Sequence, residues 1–263
     1  MRASQWTGLA LLGLGYAIAL AYGSVGLTAL PAFLLLFGSA WLVRRGTHRW
    51  QVGLGHALFV LLAVALALHW LPGFHNPKVI QPVQLSEGAL PLSLYLNLDK
   101  PLIGFWLLLA CPWIFSVGRR QGLLSVALLL PLTCLVCLGL ALAMGMIGWA
   151  PKWPEQAWLW ALNNLLLASL TEELLFRGYL QGSLQRALKA VPQGQNLALL
   201  LTATLFGLAH FAGGWHWVGL AGLAGIGYGL AYRYGGLYAA LACHFGLNLV
   251  HFAGFSYPQL IPL

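Results

Sequence analysis

The sequence predicts an all-α fold, a polytopic transmembrane helical bundle of about eight to nine spans. Three observations predict it. Hydrophobic residues make up 60% of the 263 and charged residues 7%, against roughly 45–50% and about 25% in soluble domains. Apolar stretches close to the ~20 residues that cross a bilayer recur along the whole chain. The basic residues sit in short clusters between those stretches, which is how membrane proteins set their orientation. Thirteen basic and five acidic side chains could not cover the surface of a soluble protein this large. An ordinary cytosolic enzyme, a disordered chain and a nucleic-acid binder are therefore excluded, and the net charge of +8 is not a nucleic-acid patch.

In chain order the predicted spans are 6–22, 26–43, 52–71, 101–117, 123–149, 158–180, 196–211, 217–232 and 237–255. A short Gly-Ser turn separates the first two. The first span, with Arg2 before it, is read as a retained anchor, since no small-residue cleavage site with a soluble domain follows. The segment from Pro72 to Lys100 is proline-rich with little periodicity, and reads as an irregular cap or re-entrant piece on the outer face. Cys111, Cys134, Cys137 and Cys243 all lie within apolar runs and read as small core residues, not disulfides or metal ligands.

The charges test the count. With the N-terminus in the cytoplasm, nine spans place Arg2, Arg44, Arg45, Arg49, Arg119, Arg120, Arg186, Lys189 and Arg233 inside, and Lys78, Lys100 and Lys152 outside. That is a clear positive-inside bias. Glu87, Asp99 and Glu155 fall in outer loops. The chain divides by content: residues 1–150 are transmembrane helices without catalytic motifs, and 151–263 hold nearly all the buried polar groups.

The two remaining acids are adjacent, Glu172 and Glu173, in a predicted span. A carboxylate there costs about 2.5–3.5 kcal/mol on insertion scales and marks a functional site by default. Glu173 and Arg177 are four apart, on one helix face, with the acid on the favourable N-terminal side. Glu172 lies about 100° away around the helix, so it points elsewhere and requires another partner. Phe206 and His210 share a face of the next span, and His244 and Asn248 share a face of the last, with His251 on the same stripe. Asn163 and Asn164 precede Glu172 on its own helix. Helices of this kind gather their polar faces around one wet cavity. His48, His56, His69, His75 and His216 fall near span ends and read as interfacial.

A carboxylate beside an imidazole can deprotonate a water, and a second imidazole with a carboxamide can stabilise an oxyanion. Together they suit hydrolysis of an amide without a side-chain nucleophile. Glu and two His are also a usual catalytic zinc set. The water-activating reading needs no cofactor; if zinc binds, Glu172, His210 and His244 are its ligands.

Glu172-Glu173-x-x-x-Arg177, Phe206-x-x-x-His210 and His244-x-x-x-Asn248, in that order on successive spans, resemble the CPBP (Abi) family, whose members include the type II CAAX prenyl proteases. The resemblance covers about residues 155–255 and makes 151–263 a CPBP-like catalytic membrane core. It implies an intramembrane endopeptidase acting on a membrane-associated protein or peptide within the lipid bilayer. By the motifs, Glu172 corresponds to the catalytic base and His210 to its partner on the water. His244 and Asn248 correspond to the oxyanion side, with Glu173, Arg177 and Phe206 supporting. The N-terminal spans leave the substrate open, prenylated or not. The basic inner side suits a bacterial or archaeal plasma membrane. The alternatives are a transporter with a Glu/His proton relay and a non-catalytic scaffold of the same fold.

One tension arises from span depth. At 1.5 Å per residue, Glu172 sits about 21 Å from the outer edge, and His210 roughly 21 Å from the inner edge of a core about 30 Å thick. Those depths differ by around 12 Å, too far to share a water. The Glu172 helix is therefore expected to run on past Leu180, with Arg186 and Lys189 marking its inner end.

Overall fold

A computed structural model describes residues 3–115 and 122–261. Of the charges used for orientation, Arg2, Arg119 and Arg120 lie outside the described residues. The chain is an all-α membrane protein. Four helices are each long and apolar enough to cross a bilayer: Leu27–Arg45, Arg49–Ala67, Gly122–Ala143 and Leu237–Gly254. Others are shorter apolar rods, such as Pro101–Ala110 and Gly194–Leu208.

The backbone forms two compact units. The first comprises residues 1–79 and 95–113. It holds α1 (Ala3–Ala21), α2 (Leu30–Arg45), α3 (Arg49–Ala67) and α4 (Pro101–Ala110). His48 caps α3 in a capping box with Gln51, whose side-chain oxygen accepts from the His48 amide at 3.1 Å. Trp106 of α4 stacks on Phe59 of α3 at 3.7 Å and donates its indole N–H to Ser39 Oγ of α2 at 2.8 Å. One indole thus joins three helices by packing and by a satisfied donor. α4 stops at Ala110, short of the predicted 117, because Pro112 offers no N–H and its ring disfavours continuation.

Asp99, expected as a loop charge, is 2% exposed. His69 Nδ1 lies 2.5 Å from its Oδ2, and Lys100 N–H donates to its Oδ1 at 2.9 Å. The buried carboxylate is held by an imidazole that sequence reading placed only at the interface. His69 closes α3 in the left-handed region, at φ 57°.

The second unit comprises residues 80–94 and 114–263. Two short paired strands, β1 (Lys78–Val83) and β2 (Leu92–Tyr95), replace the irregular cap expected over 72–100. Alternation there is too short, and Pro82 too disruptive, for a strand signal in sequence. α5 (Gly122–Ala143) ends at Gly145, whose φ of 67° favours glycine. α6 is one continuous helical rod, residues 157–187, built from alternating α and π turns. It runs on past Leu180 to Ala187, as the depth argument required. α7 (Gly194–Leu208), α8 (Trp215–Gly235) and α9 (Leu237–Gly254) complete the unit.

α8 is the hub, packed against α5, α6, α7 and α9. Its glycines allow this. A Cβ on Gly229 would sit 2.2 Å from Leu199 Cδ1 of α7, and one on Gly227 would sit 2.2 Å from Thr133 Oγ1 of α5. Ala221, Gly225 and Gly229, a small residue at every fourth position of α8, form part of a close-packing surface. Lys152 closes the end of α9, donating from Nζ to the carbonyls of Ala150 (3.3 Å) and Phe255. Burial pushes its ammonium pKa down, and the cation faces the negative end of the α9 dipole.

Gly227→Ala should destabilise the folded chain by about 1–3 kcal/mol through overpacking. Gly219→Ala, where a Cβ meets open space, should not. Thermal melting of both variants in detergent checks this.

Candidate active site

α6, α7, α8 and α9 converge on the adjacent acids. Glu172 and Glu173 occupy one α turn, Leu170–Glu173, with π turns before and after it. Such turns widen a helix locally and recur at functional sites. Glu173 is fully buried and Glu172 is 29% exposed.

Glu173 Oε1 holds two cationic or donor groups. His244 Nδ1 lies 2.8 Å from it and Arg177 Nη1 3.1 Å. The Arg177 approach has the distance of an ion pair but not the angle of a hydrogen bond, so Nη1 counts as charge compensation only. Arg177 is itself fully buried. Its Nη2 donates to the Gly225 carbonyl at 3.2 Å, and its guanidinium lies over the Phe206 ring at 4.4 Å and near Tyr228 at 5.2 Å. One turn on, Gln181 Nε2 donates to the Gly229 carbonyl at 2.9 Å. Two α6 side chains four apart thus grip two α8 carbonyls four apart. At Gly229 the missing side chain makes that approach possible, since a Cβ there would sit 2.8 Å from Gln181 Oε1.

His244 bridges the two acids. With Nδ1 on Glu173, its Nε2 faces Glu172 Oε2 at 3.9 Å. That is too long for a hydrogen bond. Sequence spacing expected Glu172 to need a separate partner. Instead the same imidazole serves both carboxylates through its two nitrogens, because the ring lies across the helix face. Tyr228 stacks on His244 at 4.6 Å and 11° between planes, a contact that motif spacing does not encode.

His210 ends α7. Its Nδ1 lies 2.8 Å from the Phe206 carbonyl oxygen, so Nδ1–H donates there and Nε2 is left free. The Phe206 ring contacts both His210, at 4.8 Å, and His244, at 5.7 Å. Among the described residues the imidazole that meets Glu172 is that of His244; no ion pair joins Glu172 to His210. Asn248 Nδ2 donates to Asn164 Oδ1 at 3.2 Å, and Ser169 Oγ donates to the same oxygen at 3.1 Å. Asn164, of the two candidate asparagines, therefore fixes the Asn248 rotamer.

A cavity of about 90 Å³ opens beside these groups. Its polar wall is His210, His244, Asn248 and His251. The opposite wall is apolar, with Cys137, Leu138 and Ala141 from α5 and Leu220, Ala221 and Ala224 from α8. The α5 residues could not be singled out from sequence, since nothing distinguishes them from other positions in a uniformly apolar helix. Among the described residues no three His, Cys, Asp or Glu side chains are gathered closely enough to hold a metal ion.

The unit thus sets the imidazoles of His210 and His244 and the Asn248 carboxamide on the wall of an apolar cavity, with the paired acids behind His244. Residues 154–250 match the family model described as type II CAAX prenyl endopeptidase Rce1-like. The match spans all three motifs. No curated protein and no solved structure matches the chain.

Removing the Glu173 carboxylate strands Arg177 and His244 in the interior. Glu173→Ala should cost about 3–5 kcal/mol, the penalty for breaking a buried charge pair from one side. Thermal melting should register it as a large loss, whereas Glu155→Ala, at an exposed position, should leave the melting temperature unchanged.

Proposed function

We propose that the chain is an intramembrane endopeptidase that hydrolyses a peptide bond of a membrane-associated substrate with a water activated by Glu172 and histidine. The observation that carries the reading is the imidazole of His244 fixed between Glu173 and Glu172 on the wall of an apolar cavity. Glu173 orients His244 through Nδ1, as a carboxylate orients the imidazole of a catalytic triad. His244 Nε2 and the Glu172 carboxylate then face one water from two sides. Glu172 accepts the water proton as the oxygen attacks the scissile carbonyl, and returns it to the departing amine. Asn248 has a second amide N–H beyond the one given to Asn164, and that donor stabilises the oxyanion. His210, its tautomer fixed by the Phe206 carbonyl, offers Nε2 as the further partner of the water. Phe206 and Arg177 hold these rings in place.

The Rce1-like domain supports a prenylated peptide ending in a CAAX box as the substrate class, and the apolar wall of the cavity suits a lipid-modified chain. The positive-inside pattern supports a cytoplasmic N-terminus in a bacterial or archaeal plasma membrane. A zinc reaction would use Glu172, His210 and His244 as ligands, and chelator-sensitive activity with stoichiometric zinc would favour it.

Glu172→Gln, His210→Ala and His244→Ala should each lower peptide cleavage by at least ~10²-fold, the scale of general acid–base catalysis, while the variants still insert and melt cooperatively. Wild-type turnover by Glu172→Gln in a detergent assay would sink the mechanism. Asn248→Ala should keep residual activity, reduced about 10²–10³-fold in kcat.

A further inference from the structure

α9 brings one more polar group to the cavity than the reaction uses. His251 is seven residues beyond His244 and three beyond Asn248, and it lines the same cavity. Its ring hydrogen-bonds the backbone of Ser256. Its Nε2 is buried with no hydrogen-bond partner. The flanking rings do not supply one. Trp217, 6.3 Å away between centroids, donates its N–H to Gln259 Oε1 at 2.5 Å. Tyr257, 5.1 Å away, accepts the Trp160 N–H on its hydroxyl at 3.0 Å and makes no bond to Nε2.

With one ring N–H directed to the Ser256 carbonyl, the other nitrogen of a neutral imidazole is a lone-pair acceptor. An unpaired acceptor in the interior costs free energy that a bound donor would recover. We propose that His251 is a substrate-binding residue, whose Nε2 accepts a hydrogen bond from a backbone N–H of an extended peptide about three residues from the bond cleaved. The spacing follows from two pitches. Seven residues of α9 advance about 10.5 Å at 1.5 Å each. An extended peptide covers that distance in roughly three residues at 3.3 Å each.

The inference rests on the peptidase reading for the identity of its ligand, so binding and cleavage are measured separately. The full chain in detergent is given a prenylated peptide ending in a CAAX box and the unmodified peptide of the same sequence. Binding is followed on the Glu172→Gln background. His251→Phe keeps the ring shape and removes the acceptor. It should weaken binding and raise KM about 10-fold, one neutral hydrogen bond's worth, with kcat nearly unchanged. His251→Gln should restore most of the loss. N-methylation of the peptide nitrogen about three residues from the scissile bond should impair the wild type and leave His251→Phe indifferent. An unchanged KM in His251→Phe, an N-methyl penalty that persists in it, or a fall in kcat accompanied by a lower melting temperature would each overturn the assignment. Binding without cleavage by the wild type removes the peptidase reading alone, and leaves His251 to be judged by binding. Failure of the wild type to bind either peptide removes both.

Discussion

The buried carboxylate of Glu173 is the constraint on which the second unit depends. A full negative charge within a membrane helix survives only if compensated, and here Arg177 and His244 supply the compensation from two elements. Each partner carries a structural consequence. Arg177 continues from the carboxylate to the Gly225 carbonyl of α8, lying over Phe206 of α7 on the way. His244 brings α9 to the same oxygen. One carboxylate thereby sets the rotation of α6 and the approach of three neighbouring helices. Desolvating so many groups makes the network an uncertain source of net stability, since buried charges repay little beyond their own desolvation. Its value lies in geometry: this rotation of α6 places Glu173 against His244 of α9 and Arg177 against the Gly225 carbonyl of α8.

That geometry explains why two adjacent acids can have different roles. Glu173 is wholly enclosed and engaged on Oε1, so it has no access to water. Glu172, one residue earlier, keeps part of its surface open and meets only the far nitrogen of His244 at 3.9 Å. The imidazole transmits the constraint from one acid to the other. Tyr228 stacked on its face prevents it from turning, so the Nε2 direction is as fixed as the Glu173 pair that anchors it. Preorganisation of this kind removes the reorganisation that solvent would need when charge develops.

Much of this was legible in the sequence, and the reasons for the rest are specific. Apolar length fixed the existence of the helices, and the scarcity of acids isolated Glu172 and Glu173. Helical spacing paired Glu173 with Arg177, and the span-depth conflict extended α6 to Ala187. The partner of Glu172 was harder, because angular separation on an ideal helix says where a side chain starts, not which ring lies across its path. The burial of Asp99 was hidden because its partner, His69, is thirty residues away and sits at a helix end. The two short strands left no alternation long enough to read. The α5 wall of the cavity was invisible for the opposite reason: every residue there is apolar, so none stands out.

The boundaries of the family match sharpen the division between chemistry and selection. Residues 154–250 contain Glu172, Glu173, Arg177, Phe206, His210, His244 and Asn248, the residues of the proposed reaction. The cavity is completed from outside that stretch. Cys137, Leu138 and Ala141 of α5, and Met146 and Ile147 after it, precede the match, and His251 follows it. The cavity wall is thus drawn partly from segments outside the matched stretch. The buried charge network is carried by α6 and α9, through Glu173, Arg177 and His244, whereas much of the apolar wall comes from α5. A change of side-chain shape on α5 therefore leaves the charge compensation at Glu173 intact.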